Sequence, residues 1–209
     1  SSIQPEQAHF ERVAAAVRAA MQRQMAEDAR LQALAKQLKV SVTEEGLLIQ
    51  ILDGSGDDLL FDRSSADLKP RLTELLATIA PILGRLDNKI QIHGHTDAKP
   101  FPTGSNRSNW ALSFERADSA RLVLEKSGLK KGQVGGVFAH GSSALYNTKE
   151  PFAPENRRLA ILAVRRGMET YAAQGVSATP KPTPTGAGTK PAPPPVAPAK
   201  HSEDEGAQN

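Results

Sequence analysis

The chain has 209 residues, a formal net charge of +3 and no cysteine. That length accommodates one domain of roughly 100 to 150 residues with flanking segments. The lack of cysteine excludes disulfide bonds, thiol catalysis, cysteine-based zinc sites and a lipidated N-terminal cysteine in this chain. Lysine and arginine form no block interleaved with aromatic residues, so composition does not favour a nucleic-acid partner, although the isoelectric point is about 9.2. No apolar run approaches the roughly twenty residues that span a bilayer.

The first segment predicts one long helix over residues 4–38. Pro5 suits the first helical position, where its missing N–H costs nothing. An apolar stripe recurs at heptad-like spacing and is interrupted by the polar Gln24 and Glu27. The stripe comprises Phe10, Val13, Val17, Ala20, Leu31, Leu34 and Leu38. An interrupted stripe favours a helix packed on its own domain, with a self-associating coiled coil as the alternative. We assign residues 1–39 to this amphipathic linker helix.

Two short strands, joined by a tight turn, are predicted over residues 40–52. Val40 and Val42 alternate with polar residues, Gly46 closes the turn, and residues 47–52 are largely apolar. The loop at 53–58 superficially resembles a calcium loop. It lacks the distal glutamate of such loops, so we do not expect it to bind a metal.

A helix over residues 67–86 is predicted next, because Leu68, Leu72, Leu75, Ile79 and Leu83 fall on one face. Ser64 or Ser65 can cap its start. Pro81 should kink the helix or end it early.

The remaining elements alternate between strands and helix. We predict a strand at 89–93, a loop at 95–107, a helix at 109–126 ended by Gly128, a strand at 134–139 and a last strand at 158–164. This order predicts an α+β domain over residues 40–170, with helices packed on one face of a mixed β-sheet. Residues 171–209 are rich in proline and alanine and cannot bury enough surface to offset chain entropy, so we predict a disordered tail.

The most informative motifs lie between residues 92 and 117. A predicted strand runs through Gly94 and is followed by Asp97, and the next helix carries Arg116. A carboxylate beside a guanidinium suits a zwitterion, because the acid accepts from an ammonium group and the arginine grips a carboxylate through two hydrogen bonds. From spacing alone, a loop-capping aspartate and an arginine on a solvated helix face are the alternative, since structural ion pairs are common.

Three motifs in order carry a resemblance to a known family: Gly94-His-Thr-Asp97, Asn109-x-x-Leu-Ser-x-x-Arg-Ala117 and Asn156-Arg-Arg158. Over about residues 47–166 the chain resembles the OmpA-like peptidoglycan-binding domains, and such ordered motifs are more specific than a single short one. Within that family it is similar to the MotB-like branch, the periplasmic parts of flagellar motor stator subunits. Residues 61–70 and 108–110 and the loop at 98–107 support this branch.

The resemblance implies noncovalent binding of peptidoglycan through its diaminopimelate stem peptide, with no enzymatic activity, cofactor or metal. It also implies a homodimer, MotA-like partner subunits and a periplasmic location. The full-length protein would be held in the inner membrane by one N-terminal transmembrane helix that these residues do not include. The chain begins at Ser1 without a methionine, as a mature or truncated form would.

Five site residues follow from the resemblance, position by position. Asp97 and Arg116 match the family residues that bind the ammonium and the carboxylate of diaminopimelate. Asn109 would orient the loop or the ligand. Arg158 would lie at the pocket rim, with a structural ion pair as the alternative, and Asp62 would lie near where the family's backbone meets the ligand.

The chain departs from the family in two places. Ser64 stands where MotB-like chains often have glycine, and the turn that begins at His140 is altered, which affects one pocket wall. We expect Trp110 to pack in the core, with stacking on a wall sugar as the alternative.

The rival prediction is a zinc metallo-hydrolase that uses His93, His95 and Asp97. Strand alternation puts both histidines on one face, and imidazoles with a carboxylate suit zinc. The familiar motif continues with a further histidine, where this chain has Ala98. Besides His93 and His95, the predicted domain at 40–170 contains only His140. Wall anchors of the OmpA or Pal type are the alternatives within the family.

Overall fold

The computed structural model describes residues 3–169. In that part the chain forms the helices α1 (Ile3–Glu27), α2 (Leu34–Gln37), α3 (Pro70–Leu83) and α4 (Asn109–Ser127). The strands are β1 (Leu38–Val42), β2 (Gly46–Leu52), β3 (Ile90–His95), β4 (Val134–Ala139) and β5 (Arg158–Val164). Among these helices, none combines the length and apolarity needed to cross a membrane. The tail predicted at 171–209 lies outside the described residues.

The strands form one mixed sheet in the order β1-β2-β5-β3-β4. The neighbours β3 and β4 are parallel, and the other neighbouring pairs are antiparallel. Ile92 in the centre of β3 lies opposite Ile161 of β5 and beside Val137 of β4. This register puts the alternating apolar residues of the central strands on a common face.

The helices α1, α3 and α4 pack on that common face and close one continuous core. The predicted α+β class, with helices on one face of a mixed sheet, is confirmed. Fully buried members of the core include Phe10, Val17, Leu47, Ile49, Leu72, Leu76, Ile79, Leu83, Ile92, Leu124 and Ile161. The opposite face of the sheet carries a smaller apolar cluster of Leu48, Ala160, Leu162 and Val164.

The N-terminal segment differs from the single helix predicted over residues 4–38. A straight helix of that length would extend about 52 Å. Instead α1 ends at Glu27, a 3₁₀ turn follows at Ala29–Leu31, and Leu38 already belongs to β1. The turn brings Leu31 and Leu34 back to the core that also buries Phe10 and Val17. The interrupted stripe therefore packs on its own domain, as its broken pattern favoured.

The helix α3 begins at Pro70, three residues later than predicted, and neither serine caps it. Ser65 Oγ instead accepts from the backbone N–H of Asp67 (3.0 Å) in a local turn. Pro70 occupies the first turn of the helix, where a missing N–H leaves no bond unmade. Pro81 lies inside the helix, which ends shortly afterwards at Leu83, as predicted.

Candidate functional site

A cavity of about 770 Å³ opens where the loop after β3, the loop after β2 and the segment before β5 meet the start of α4. This volume lies within the range of small-molecule binding pockets. Four of the five predicted site residues line it, namely Asp62, Asp97, Asn109 and Arg116. Arg157 also lines it and was not predicted.

Asp97 lies two residues beyond β3, and its side chain is largely buried. Its Oδ1 accepts from the backbone N–H of Lys99 (3.0 Å), and its Oδ2 accepts from Arg157 Nη1 (2.9 Å). A carboxylate offers about four acceptor positions, so these two bonds leave capacity for a ligand donor.

Arg116 projects from α4 into the same cavity and is only 3% exposed. Its Nε donates to the Ser65 carbonyl (2.9 Å) and its Nη2 to the Asp62 carbonyl (2.8 Å), while the guanidinium stacks on the Phe61 ring at 4.6 Å. The buried Nη1 has no hydrogen-bond partner among the described residues. Burial lowers the pKa of Arg116 to about 10. The charge of Arg157 lowers it further, whereas the charges of Asp53 and Asp97 raise it, so the side chain remains cationic at neutral pH. The site thus holds a fixed cation with an unused donor.

Arg157 lines the cavity and links two carboxylates, those of Asp53 and Asp97. Its Nε donates to Asp53 Oδ2 (2.6 Å), its Nη1 to Asp97 Oδ2 (2.9 Å) and its Nη2 to the Gly54 carbonyl (3.2 Å). Burial alone lowers the pKa of Arg157, but the hydrogen bonds and charges of both aspartates outweigh burial and raise it. Asp53 is itself anchored, because its Oδ1 accepts from the backbone N–H groups of Gly54 (3.0 Å) and Leu60 (2.6 Å).

Two further predicted residues, Asn109 and Asp62, also line the cavity. Asn109 Nδ2 donates to the Lys99 carbonyl (3.1 Å) and, more weakly, to the Asp97 carbonyl (3.5 Å), so it holds the loop after β3. The backbone carbonyl of Asp62 accepts from Arg116, and its carboxylate pairs with Lys69. Asp62 therefore positions Arg116 through its backbone.

Arg158 does not lie at the rim of the cavity, contrary to the prediction. It is 1% exposed and is not among the described residues that line the cavity. Its Nε donates to Gln50 Oε1 (3.1 Å) and its Nη1 to the Ala144 carbonyl (3.0 Å), on the sheet face that carries His93 and His95. Strand alternation explains the difference, because neighbouring residues of an extended chain point to opposite faces.

The same alternation could have identified Arg157 and Asp53, the two site residues that were not predicted from the sequence. Arg157 is two and four residues before Leu159 and Ile161, and Asp53 is two and four residues after Ile51 and Ile49, so each lies on the same sheet face as those apolar residues. Both charged residues thus continue apolar faces that pack against the helices. Polar residues at the ends of such faces mark the site edge of the sheet.

The motif residues of α4 fix the helix against the sheet. A Cβ atom at Gly94 would collide with the Ser113 carbonyl and would touch Ala117, so glycine permits this close approach. Ser113 Oγ accepts from the backbone N–H of Gly141 (2.9 Å) and ties down the turn after β4. Asn156 is fully buried, and its side chain bonds the backbone at Asn147 and at residues 150–151.

The three histidines form a stack on the opposite sheet face. The His95 and His140 rings lie 4.4 Å apart at 10°, and His93 Nδ1 lies 2.8 Å from His140 Nε2. Burial lowers the pKa of His93 to about 3 and that of His95 to about 2, assisted by the charges of Arg158 and His140. Burial also lowers the pKa of His140.

This stack does not form the zinc site of the rival prediction. His93 and His95 share a face, as expected, but a direct hydrogen bond joins His93 to His140, and Asp97 pairs with Arg157 instead. Within residues 3–169, no group of three or more potential ligand side chains is placed to hold a metal ion.

Trp110 is 57% exposed, contrary to the predicted core position. It lies in the first turn of α4, where its ring approaches the turn at Gly141 rather than the core.

The backbone at Ser64 explains why related chains often have glycine at this position. Ser64 has a φ of 52°, in the left-handed region that glycine adopts most easily.

Residues 60–158 match the OmpA family. Motility protein B of Escherichia coli strain K12 is 36% identical over 143 residues, which cover 68% of this chain and 46% of that protein. The peptidoglycan-associated lipoprotein of Buchnera aphidicola is 33% identical over 110 residues, 51% of this chain and 61% of that protein. This chain therefore spans less than half the length of the motility protein B that it matches.

Solved structures share the fold at lower identity. A MotB-like protein from Desulfovibrio vulgaris superimposes with a TM-score of 0.59 at 16% identity, covering 79% of this chain and 100% of that chain. The periplasmic domain of Helicobacter pylori MotB gives a TM-score of 0.53 at 19% identity, covering 66% of this chain and 87% of that chain. The family match and the similarity to motility protein B show that the chain contains an OmpA family domain.

Proposed function

We propose that this domain binds peptidoglycan noncovalently by gripping the zwitterionic end of a diaminopimelate side chain. The observation that carries the proposal is the buried, unpartnered Nη1 of Arg116, a residue that lines the same cavity as Asp97. The ligand carboxylate would accept from Arg116, and the ligand ammonium would donate to the remaining positions of Asp97.

The charge balance of the cavity supports a zwitterion over a simple ion. Two carboxylates, Asp53 and Asp97, interact with two guanidiniums, Arg116 and Arg157, so the charges of these four side chains balance. A ligand that carries one charge of each sign preserves this balance. A ligand with a single charge would leave an uncompensated charge in a partly desolvated site, which is costly.

Binding to cell-wall sacculi tests the proposal. Co-sedimentation of the protein with diaminopimelate-type sacculi should fall at least about tenfold in Asp97→Asn and in Arg116→Lys, because each change removes a charge or a planar donor pair. Asp118→Asn and Arg121→Lys make the same chemical changes in a half-buried ion pair on α4, away from the cavity, and serve as matched controls. Equal sedimentation of all five proteins, with all folded by circular dichroism, would refute the site.

The proposed biological role is a wall anchor for the flagellar motor stator, which holds the stator in place so that ion flow produces torque. Its support is the similarity to motility protein B, although the matched segment covers less than half of that protein. We place the domain in the periplasm, without catalytic activity. In the full-length protein a membrane helix would hold it in the inner membrane beside MotA-like subunits. A motility protein B whose matching segment is replaced by this domain should support swimming, and the same chimera with Asp97→Asn should not.

We also propose a homodimer. The apolar stripe of Phe10, Val13 and Val17 is buried in the protein's own core, so in this arrangement it cannot form the dimer contact. The contact would use another surface, and light scattering at tens of micromolar should give twice the chain mass. A monomer at that concentration would refute the dimer.

A further inference from the structure

We propose that Asp53 and Arg157 determine which ligand charges the cavity prefers. Arg157 lines the cavity, whereas Asp53 does not. Both act as positioning residues through the carboxylate of Asp97. The inference rests on the proposed zwitterion site and adds which residues make that site prefer one ligand charge pattern over another.

The geometry forms a chain of fixed contacts from the interior to the cavity. Asp53 has a fully buried side chain, held by two backbone N–H groups, and it accepts from Arg157 Nε at 2.6 Å. Arg157 Nη1 then reaches Asp97 Oδ2 at 2.9 Å, while its Nη2 is fixed by the Gly54 carbonyl. Since each link has a defined partner, the orientation of the Asp97 carboxylate depends in part on Asp53, a buried residue that does not line the cavity.

The same chain decides how much negative charge Asp97 presents. In this arrangement Arg157 is shared by two carboxylates, so it fully neutralises neither of them. Loss of the Asp53 charge would leave Asp97 as the main counter-ion of Arg157 and less available to a ligand ammonium. Loss of the Arg157 charge would have the opposite effect and would leave Asp97 uncompensated. The same charges act on Arg116, because Asp53 and Asp97 raise its pKa and Arg157 lowers it.

Three synthetic stem tripeptides that differ only in the side chain of the third residue provide the probe. Diaminopimelate carries both the ammonium and the carboxylate, lysine lacks the carboxylate, and 2-aminopimelate lacks the ammonium. Dissociation constants of the three peptides measured by calorimetry give a selectivity ratio, lysine-type against aminopimelate-type. A general loss of structure would weaken both peptides together and leave this ratio unchanged.

We expect opposite shifts from the two single variants. Asp53→Asn should shift the ratio on the order of tenfold towards the aminopimelate peptide, and Arg157→Gln on the order of tenfold towards the lysine peptide. The double variant restores the charge balance and can form an amide pair, so its ratio should return to within about threefold of the wild type. Melting temperatures verify that each protein is folded.

The possible outcomes separate this inference from the proposed function. If the wild type does not prefer the diaminopimelate peptide to the other two, the zwitterion site itself fails. If the wild type shows that preference but both single variants retain its ratio, or shift it in the same direction, the roles of Asp53 and Arg157 fail. If Arg157→Gln does not fold, Asp53→Asn and the double variant still decide, because the inference requires a shift in the first and recovery in the second.

Discussion

The buried histidine stack should make the stability of this domain depend strongly on pH, and His95→Phe should remove a defined part of that dependence. Neither ring nitrogen of His95 makes a hydrogen bond of ordinary geometry to a described residue, although the Ala144 backbone raises its pKa slightly. Its ring stacks on that of His140, with the ring centroids 4.4 Å apart. Phenylalanine can maintain this stack without titrating.

The direction and the size of this pH dependence of stability follow from the lowered pKa values of the histidines. His93 and His95 titrate near 6.5 when unfolded but only at about 3 and about 2 when folded. Below pH 6.5 the unfolded chain therefore binds protons that the folded chain does not, so stability is greatest above that pH and falls as the solution is acidified. Between pH 7.5 and 5.5 each such histidine should reduce the unfolding free energy by about 1.4 kcal/mol.

Urea denaturation followed by circular dichroism at pH 7.5 and 5.5 measures this loss. In His95→Phe the loss between the two pH values should be smaller than in the wild type by about 1.4 kcal/mol. His95→Gln removes both the stacked ring and the titrating group. It should therefore be less stable than His95→Phe but show the same reduced pH dependence. If both variants lose as much stability as the wild type between these pH values, His95 is not held neutral by burial.

Two other substitutions, at Leu34 and Gly94, test the packing of the N-terminal segment on the core and the packing of α4 on β3. Leu34→Ala should destabilise by about 2 to 4 kcal/mol in urea, because Leu34 belongs to the core despite its place before the sheet. Leu122→Ala, at a mostly exposed position on α4, should stay within about 0.5 kcal/mol, and equal effects would show that the N-terminal segment is not part of the domain. Gly94→Ala should cost about 2 kcal/mol or more and reduce sacculus binding, because α4 must move away from β3. An unchanged melting temperature would contradict that close approach.

Periodicity predicted most of the fold because each main element buries one face. The strands at 134–139 and 158–164 have the predicted bounds, and the helix predicted at 109–126 ends one residue later at Ser127. Predictions were weaker where tertiary packing decides the geometry. The break after Glu27 was not predicted, because its cause is the return of Leu31 and Leu34 to a core that local sequence does not reveal.

The sequence predicted part of the site but named Arg158 where the structure has Arg157. This error has a simple physical origin. Family motifs led to Asp97 and Arg116, which lie in one cavity. The choice between Arg157 and Arg158 depended on which sheet face each would join, and the motif alone does not specify that. Alternation from Ile161 backwards would have assigned Arg157 to the helix-packed face and Arg158 to the face with the histidines.

The spacing of the α4 motif follows from three tasks that one helix performs together. Ser113 binds the turn after β4, Arg116 enters the cavity, and Ala117 packs against Gly94 of β3. Positions three and four apart lie on one helix face, so these contacts cannot shift independently. A helix displaced by even a small distance would separate the Arg116 donor from the carboxylate that follows β3. The close contact at Gly94 is therefore part of the ligand geometry, although Gly94 itself offers no group that could bind a zwitterion.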